Sequence, residues 1–420
     1  MSIVLKKKDA LIINHQNFSN IGGIERWLYY LTIYCLNNGI RVIWLCDDKP
    51  LCHPVFRELF LGQKIERVYV KRQKLYWFVS QKLDLKLDER YVLFCANPVS
   101  MCVSQEILLK YSEFDIFPVY TVPDTTGNMY FLERNFRRKW IRDKVWVMMR
   151  KMIFRWDSLN AVRFFTLNQV KALEENYNLL ITFPEDKRLR SNRERGTWND
   201  ESIRSKSLNR SPFKIATVGR FDFPHKGYML GLVRAFGKLI QDYPQLELHI
   251  AGYGPHENIL KNEIASIPEN ARNSIILHGP IHPDHLEDYL RTAHLNVSVA
   301  GGATAGAKVG TLTLVARNYC AGECEVYGFY HDCREKTTSL EKGLPIIPYI
   351  RQVLEMKPEE YIEMCKKDFE TVLERSKVFY DPHYIFSSTR LKRFYPSKKE
   401  VLKMKFLKRI IVLNRYLRIL

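Results

Sequence analysis

The sequence predicts an α/β protein with two doubly wound, Rossmann-like domains. An apolar run, a glycine-bearing loop and a helix-like repeat follow one another near the start of the chain. A second series of short β-type runs alternates with amphipathic segments after residue 212, and a charged stretch separates the two series. At 420 residues, the chain is also longer than a single hydrophobic core usually serves.

The first domain is predicted at residues 1–185. Its start is a βαβ unit, with a strand at 10–14, the loop SNIGGIERW at 19–27, a helix from Trp27 and a strand at 41–46. Such a unit implies a parallel sheet whose ligand crevice lies beyond the carboxyl ends of its strands. Further strands are predicted at 91–95, 117–122 and 164–167.

A linker is predicted at residues 186–212, because that stretch is rich in charge, Ser and Asn and poor in apolar residues. The second domain then covers 213–375, and C-terminal helices with a basic amphipathic tail that cross back cover 376–420. Within the second domain the predicted strands are 214–218, 246–250, 274–277 and 295–299, and the predicted helices are 228–242 and 284–293.

The composition predicts a globular, basic protein. The formal net charge of +19 favours anionic partners, namely nucleotides, acidic lipid surfaces or nucleic acid. The nine cysteines form no CxxC pair, so we expect reduced thiols; the cluster Cys320, Cys324, His331 and Cys333 matches no common zinc spacing, and no metal is predicted. With no long apolar run and no cleavable leader, a cytosolic chain is expected.

The segment GRFDFPHKG at 219–227 follows a predicted strand and precedes a predicted helix. A glycine turn at a helix N-terminus presents backbone N–H groups and the positive helix end to an anion. Because Arg220 and Lys226 add two mobile cations beside Gly219, the segment suits a diphosphate. The alternative is a basic loop that binds nothing.

Two further glycine clusters follow the next two predicted strands. AGYGP contains Gly252 and Gly254, and HGPI contains Gly279. Glycine lets a nucleotide approach the backbone closely, although each cluster alone is more often a turn. Three clusters at successive strand ends converge on one crevice.

Together these motifs resemble the retaining GT-B glycosyltransferases of group 1, which use nucleotide sugars without a metal. The resemblance extends from GGIERW through VGRFDFPHKG and HIAGYGP to HGPIHPDHLEDYLRTAHLNVSVA. It implies two domains facing across a cleft, and a donor of the UDP, GDP or ADP type with no other cofactor. It also implies that Gly22 and Gly23 lie near the sugar phosphates and that Arg220 and Lys226 hold the diphosphate, with Lys226 following the charge on the leaving group.

The paired glutamates of that family are missing. The matching stretch, SVAGGATAGAKVGTLTLVARNYC at 298–320, contains no acid; the second glutamate would fall at Ala305 or Ala307 and the first within 297–301. Three interpretations stay open. Backbone groups around Gly302 and Thr304 bind the nucleotide together with Lys308, or an acid from AGECEVYG moves in (Glu323 or Glu325), or the protein is a noncatalytic relative.

A second departure from the family lies in VYTVPDTTG at 119–127. Pro123 stands where family members often have a His near the transferred sugar. Asp124 follows a predicted strand end, and we interpret it as a residue that orients the acceptor or the sugar hydroxyls. A turn or helix cap is an equal alternative.

Two basic amphipathic stretches, 134–156 and 401–420, are typical of helices that lie in a membrane interface. Core-packed helices with a solvated basic face are the alternative. Nucleic-acid binding is a rival for the same residues, but the sequence has no recognisable nucleic-acid module. The predicted membrane contacts are Arg137, Arg138, Trp140, Arg142, Lys144, Trp146, Lys408 and Arg409.

The sequence thus predicts a metal-independent glycosyltransferase on the cytoplasmic face of the membrane. Its expected acceptor is a growing cell-surface glycan such as lipopolysaccharide or capsule, carried on a lipid. The alternative is a noncatalytic glycosyltransferase-like subunit. The sugar, the nucleotide base, the acceptor and the anomeric outcome stay open.

Overall fold

The chain divides into two compact units. Unit 1 comprises residues 1–192 and 380–420, and unit 2 comprises residues 193–379. The computed structural model describes residues 7–15, 23–47, 54–62, 65–73, 76–79, 82–96, 98–121, 138–164, 167–181, 196–320, 322–337, 339, 341–376, 386 and 392–416.

The described strands of unit 1 form one sheet in the order β4-β3-β2-β1-β5-β6-β7, parallel except for β4. The strands are β1 (Lys8–Asn14), β2 (Arg41–Asp47), β3 (Ile65–Gln73), β4 (Tyr76–Val79), β5 (Glu89–Cys95), β6 (Asp115–Thr121) and β7 (Val162–Arg163). The helices before the linker are α1 (Gly23–Asn37), α2 (Pro54–Gly62), α3 (Pro98–Lys110), α4 (Lys139–Ser158) and α5 (Leu167–Tyr177).

The described strands of unit 2 form a second sheet in the order β10-β9-β8-β11-β12-β13-β14, in which β13 pairs antiparallel with both β12 and β14. The strands are β8 (Phe213–Val218), β9 (Leu246–Ala251), β10 (Ile275–Gly279), β11 (Leu295–Ser298), β12 (Leu312–Ala316), β13 (Glu325–Phe329) and β14 (Leu344–Pro345). The helices are α6 (Asp200–Leu208), α7 (Tyr228–Leu239), α8 (Glu257–Ala265), α9 (Glu269–Asn273), α10 (Leu286–Arg291), α11 (Ala300–Lys308), α12 (Tyr330–Cys333), α13 (Ile346–Glu355) and α14 (Pro358–Ser376).

The C-terminal helix α15 (Lys398–Tyr416) belongs to unit 1 rather than to unit 2. Met404 and Leu407 pack into the same apolar cluster as Met149 and Trp156 of α4. Burial of these side chains fixes α15 to unit 1.

Both sheets have the order expected of doubly wound folds, so the predicted fold class is confirmed. The central strands β1 and β8 read as nearly continuous apolar runs because helices cover both faces of a parallel sheet. The strand predicted at 164–167 is wrong, because the strand in this part of the chain ends before residue 164. β7 is Val162–Arg163, and Leu167 begins α5, where Val170 and Leu173 bury one helical face.

The interpretation of 186–212 as an exposed linker is wrong for residues 199–208. The Asn199 side chain caps α6 by accepting a hydrogen bond from the Ser202 N–H at 2.9 Å. Ile203 and Lys206, one helical turn apart, are both buried within unit 2, to which α6 belongs. Helix packing overrides the polar composition of this segment.

The described cysteines, Cys35, Cys46, Cys95, Cys102, Cys320, Cys324, Cys333 and Cys365, are buried free thiols. Burial raises the pKa of Cys333 to about 12. The described His331 has a carboxylate partner: its Nδ1 lies 2.7 Å from Oδ1 of the fully buried Asp368.

Candidate functional site

The site that the motifs predict lies at the carboxyl ends of the unit 2 strands. β8 pairs with β9 on one side and with β11 on the other. Successive strands are therefore added on one side of β8 up to β10 and on the other side from β11 onward, and the switch point lies between β8 and β11. In open α/β sheets ligands bind outside the carboxyl ends of the strands at this switch point. The segment 219–227 leaves β8 there.

Three glycine-bearing loops meet beside that switch point. The Gly219 N–H donates to the Ala251 carbonyl at 3.0 Å, and the Gly252 N–H donates to the Gly279 carbonyl at 2.8 Å. The Phe221 N–H donates to the carbonyl of Tyr253 at 2.9 Å. The structure therefore brings the predicted residues Gly219, Gly252, Gly254 and Gly279 together at one edge of the sheet.

Two of these residues, Gly252 and Gly254, must be glycine because the loops contact each other closely. Gly252 has a φ of +154°, and a Cβ there would collide with the carbonyl oxygen of Gly219. A Cβ on Gly254 would lie 2.5 Å from the Phe221 carbonyl oxygen. The physical reason for glycine at 252 and 254 is thus the close approach of two protein backbones, whereas the sequence suggested approach by a nucleotide.

Arg220 is held by a carboxylate on its own loop. Its Nη2 donates to Asp222 Oδ2 at 2.8 Å, and the Arg220 side chain is 27% exposed. One ion pair leaves further N–H donors of the guanidinium available for an oxyanion. The loop also engages His256, whose Nδ1 accepts a hydrogen bond from the Phe223 N–H at 2.8 Å.

His256 and Asp222 were not identified from the sequence. The rings of Phe223 and His256 stack at 6.0 Å, and His256 Nδ1 lies 4.0 Å from Asp222 Oδ1. His256 precedes α8, which follows β9. In the sequence, the two residues stand out only because Asp222 lies within GRFDFPHKG and His256 directly follows AGYGP. Neither position reveals that these two loops contact each other.

Lys226 contacts the loop after β12. Its Nζ donates to Oδ1 of the buried Asn318 at 3.4 Å. The neighbouring Tyr319 N–H donates to the His225 carbonyl at 3.0 Å, and Tyr319 has a left-handed φ of +58°. Residues 318–319 therefore position the lysine from nearly 100 residues away along the chain.

Two helix N-termini lie at this edge. α7 begins directly after Gly227, and α11 begins at Ala300, after the carboxyl end of β11. A Cβ on Gly302 would lie 3.2 Å from Val218 Cγ1, so the first turn of α11 packs against the end of β8. The positive ends of both helix dipoles and two cationic side chains thus share one region, which favours a bound polyanion.

Helix α11 is acid-free because it is packed too closely to admit larger side chains. Ala305 and Ala307, the two expected positions of the second glutamate, are both buried in apolar clusters. A Cβ on Gly306 would lie 2.7 Å from Thr313 Oγ1. A carboxylate at 305 or 307 would be buried among apolar side chains rather than presented to a ribose.

The structure does not bring Lys308 to the strand-end loops. Lys308 is the last residue of α11. At a rise of about 1.5 Å per residue, it lies roughly 12 Å along the helix axis from the first residue, Ala300. Its Nζ lies 2.6 Å from Glu287 Oε1, and the side chain is 5% exposed. Thr304 is also occupied internally, since its hydroxyl donates to the Ala300 carbonyl and accepts from the Tyr330 hydroxyl.

Glu325, by contrast, does lie at this edge, because β13 starts where the parallel strand β12 ends. Its Oε2 accepts hydrogen bonds from Arg317 Nη1 and from the Gly343 N–H, both at 2.8 Å. Burial disfavours the charged carboxylate, but these two donors outweigh it and lower the pKa of Glu325. Arg317 is a further cation that the sequence did not reveal, and Glu323 is exposed.

In unit 1, Gly23 is the first residue of α1, whereas Gly22 and Asp124 lie outside the described residues. The structure adds a polar pair at the same loop: His15 Nε2, just after β1, lies 2.9 Å from Glu25 Oε1 in the first turn of α1. The roles predicted for Gly22 and Asp124 stay predictions.

The basic helix α4 has one buried face and one exposed face. Val145, Met149 and Ile153 are buried in the unit 1 core. Trp146, one of the predicted membrane contacts, is half-buried; its indole N–H donates to the Asn176 carbonyl at 2.8 Å and its ring stacks on Tyr177. Among the other predicted contacts, Arg138, Trp140 and Lys144 are exposed and Arg142 is half-buried.

Helix α15 is divided in a similar way. Leu402 and Phe406 are exposed, at 68% and 58%, while Met404 and Leu407 are buried. Arg409 is exposed; the side chain of Lys408 and all of Arg137 lie outside the described residues. No described helix of the protein is both long and apolar enough to cross a membrane.

Comparison with protein families places the unit 2 motifs in a known domain. Residues 212–312 match a model described as Glycosyl transferases group 1. That segment contains Arg220, Lys226 and the glycine loops. Over residues 212–312 the chain is therefore similar to a group 1 glycosyltransferase domain. The match confirms the resemblance drawn from the motifs; no curated protein matches the chain by sequence.

Solved structures show that the glycosyltransferase domain is part of a GT-B fold. Anabaena Alr3699/HepE, solved with UDP and glucose, superposes with a TM-score of 0.59 at 13% identity, covering 90% of this chain and 97% of its own. S. aureus TarM superposes at 0.56 with 11% identity, covering 95% and 99%. A glycosyltransferase from Rickettsia africae superposes at 0.51 with 14% identity, covering 91% and 100%.

Proposed function

We propose that the protein transfers a sugar from a nucleotide-sugar donor, of the UDP type, to a glycan acceptor without using a metal. One observation carries the proposal: Arg220 and Lys226 lie on a single strand-end loop at the switch point, beside the first turns of α7 and α11. The UDP preference is supported by the UDP and UDP-glucose complexes of HepE. The acceptor is proposed to be a lipid-linked cell-surface glycan.

The chemistry available at this site is electrostatic. When the bond between the sugar and the diphosphate breaks, negative charge develops on the departing phosphate oxygen. Arg220, steadied by Asp222, and Lys226, steadied by Asn318, would then bind that charge more strongly than they bind the intact donor. The packed loops hold both cations in place before the reaction, so little reorganisation accompanies bond cleavage.

Removing the Lys226 cation tests the site. The Lys226→Ala variant should lose roughly 10²- to 10³-fold in kcat, the usual effect of deleting one group that stabilises developing charge. The measurement is release of nucleoside diphosphate from a panel of UDP, GDP and ADP sugars, with a membrane lipid extract as the source of acceptor. Lys238→Ala is the matched control, because Lys238 is an exposed lysine in the last turn of α7.

A noncatalytic nucleotide-sugar-binding protein is the second candidate, favoured by the absence of an acid in α11. The same panel separates the two. Turnover that depends on Lys226 supports the transferase. Donor binding that depends on Lys226 without nucleotide release supports the binding protein, and equal rates for the Lys226→Ala variant and the parent would contradict the proposed site.

We further propose that unit 1 contacts anionic membrane surfaces through the exposed face of α4. Trp140, Val147 and Phe154 are 58%, 42% and 62% exposed and recur every seven residues, which places them on one stripe. Lys144 and Lys151 lie along the same stripe, and the Lys144 ammonium sits 5.4 Å from the Trp140 ring centroid. Apolar side chains beside lysines suit the boundary between acyl chains and anionic head groups.

Vesicle flotation tests this contact. The protein should float with vesicles containing anionic lipid, less so at high salt, and not with neutral vesicles. A Trp140→Ser, Phe154→Ser double variant should bind at least about tenfold more weakly, since it removes two apolar anchors. Leu61→Ser, which alters another exposed apolar residue of unit 1, is the control; equal flotation of all three proteins would refute the contact.

A further inference from the structure

A pocket lies at the opposite edge of the unit 2 sheet, between α6 and α10. It is open to solvent, has a volume of about 390 Å³, and is lined by Ser202, Ser205, Lys206, Asp288, Arg291 and Thr292. The Lys206 ammonium donates to the Ala293 carbonyl at 3.0 Å, just before β11 begins. The pocket is thus at the amino ends of the strands, and its volume is within the range of about 300–1,000 Å³ that is usual for small-molecule sites.

Lys206 carries a buried charge. The side chain is 8% exposed, and among the described residues no carboxylate forms an ion pair with its ammonium. An ammonium removed from water normally needs a counter-charge. Burial, with a smaller repulsion from Arg291, lowers the pKa of Lys206 to about 8, so the group remains mostly protonated at neutral pH.

Arg291 places a second cation on the same pocket. Its Nη1 lies 3.2 Å from Asp288 Oδ1, and its Nη2 donates to the Thr197 hydroxyl. Its buried Nε has no hydrogen-bond partner among the described residues. Asp288 also lines the pocket, but its side chain is 71% exposed and therefore well hydrated.

We propose that this pocket binds the phosphate group of a small phosphorylated molecule. The ammonium of Lys206 and the guanidinium of Arg291 supply the opposing charge, and the hydroxyls of Ser202 and Ser205 are further donors at the pocket wall. A phosphate would provide the counter-charge that Lys206 lacks. Inorganic phosphate and a phosphate monoester share this chemistry, and the site is independent of whether the protein transfers a sugar.

Calorimetric titration with inorganic phosphate and with glucose 6-phosphate tests the proposal. The titrations use the full-length chain with Lys226→Ala, so that phosphate bound at the opposite edge does not confuse the result, with chloride matching the ionic strength. Saturable binding of one ligand per chain is expected. Tighter binding of glucose 6-phosphate would indicate a phosphorylated metabolite, and equal affinity would indicate the free ion.

Two substitutions should act in opposite directions. Lys206→Met removes the buried cation while keeping the side-chain length, and it should weaken phosphate binding at least tenfold, about 1.4 kcal/mol. Asp288→Asn removes the repelling carboxylate and should tighten binding about threefold, because it also frees Arg291 Nη1. Lys238→Met is the control, since this lysine is exposed on α7.

The absence of saturable binding in the parent would overturn the proposal. So would equal phosphate affinity in the parent, Lys206→Met and Asp288→Asn proteins. If Lys206→Met does not fold, the exposed Asp288→Asn substitution decides alone, because it leaves the core untouched. Thermal unfolding without ligand adds a check: removal of an unpaired buried charge should leave the unfolding midpoint of Lys206→Met unchanged or higher, and a lower midpoint would show that the ammonium is a structural group.

Discussion

The two edges of the unit 2 sheet each gather basic side chains, but they hold them in different ways. At the carboxyl edge, Arg220 and Lys226 lie on one short loop and contact Asp222 and Asn318. At the amino edge, Lys206 and His294 come from different segments and are buried, while Arg291, with a side chain 28% exposed, pairs with Asp288. The carboxyl edge keeps both of its cations partly exposed beside polar partners, whereas the amino edge withdraws Lys206 and His294 from water.

Burial has an electrostatic consequence at the amino edge. His294 Nδ1 accepts from the Lys214 N–H, its Nε2 donates to the Asn209 carbonyl, and its ring stacks on Phe213. Burial outweighs the bond to Asn209 and lowers the pKa of His294 to about 4. Lys206 and His294 therefore lose their protons more easily than they do in water, because burial lowers the pKa of each, whereas at the carboxyl edge hydrogen bonds keep the Glu325 carboxylate charged.

The largest effect on stability is expected at the carboxyl edge. Gly252→Ala introduces a Cβ that collides with the Gly219 carbonyl in a backbone conformation with φ of +154°. We expect the free energy of unfolding of unit 2 to fall by roughly 3–5 kcal/mol, since neither backbone can move without breaking the hydrogen bonds between the loops. Thermal unfolding measures the loss of stability. Peptide-resolved hydrogen exchange shows whether the loss is in unit 2.

Gly322→Ala is the matched control for that substitution. Apart from its two chain neighbours, no described residue has an atom within 4 Å of a Cβ at Gly322, and the φ of Gly322 is not in the left-handed region. Its unfolding midpoint should remain close to that of the parent. If the Gly252 and Gly322 variants were equally stable, the close packing of the glycine loops would be refuted.

A slightly smaller effect is expected from pH at the amino edge. Because the pKa of His294 is about 4 in the folded protein and about 6.5 in the unfolded chain, the unfolded state binds the extra proton between these values. The contribution of neutral His294 is present above pH 6.5 and is lost as the pH falls toward 4. The loss amounts to about 3 kcal/mol.

Comparison of the parent with His294→Asn checks this pH dependence. The asparagine oxygen can accept from the Lys214 N–H but does not titrate, so the variant should be less stable at pH 7 and should lose less stability between pH 6.5 and 4. Hydrogen exchange of the β8 and β11 amides across that range reports on unit 2 alone. Identical slopes in both proteins would show that His294 is not the titrating group.

The sequence predicted the fold class because hydrophobic periodicity and glycine turns are local signals. Most central strands and α7 were found in this way, and so was the segment that carries Arg220 and Lys226. The errors came from segments whose structure depends on distant contacts. α6 is helical in a stretch of loop-like composition because Ile203 and Lys206 are buried within unit 2.

The same distinction applies to the candidate site. Its cations and glycines are contiguous in the chain and could be identified from spacing. Its supports could not, because Asn318 and His256 lie on other strand-end loops. One of the three open interpretations placed Lys308 at the nucleotide together with the glycine-rich stretch that precedes it in the sequence. In the structure Lys308 lies at the far end of α11, where it pairs with Glu287.

The sequence by itself determined the two α/β domains and the basic loop of a group 1 glycosyltransferase domain, since both depend on residues close together in the chain. Only the tertiary structure explains why Gly252 must be glycine and why α11 has no acid. It also shows that the buried Lys206 has no carboxylate partner among the described residues. Each of these depends on the distance between backbones or on burial, and packing between remote segments sets both.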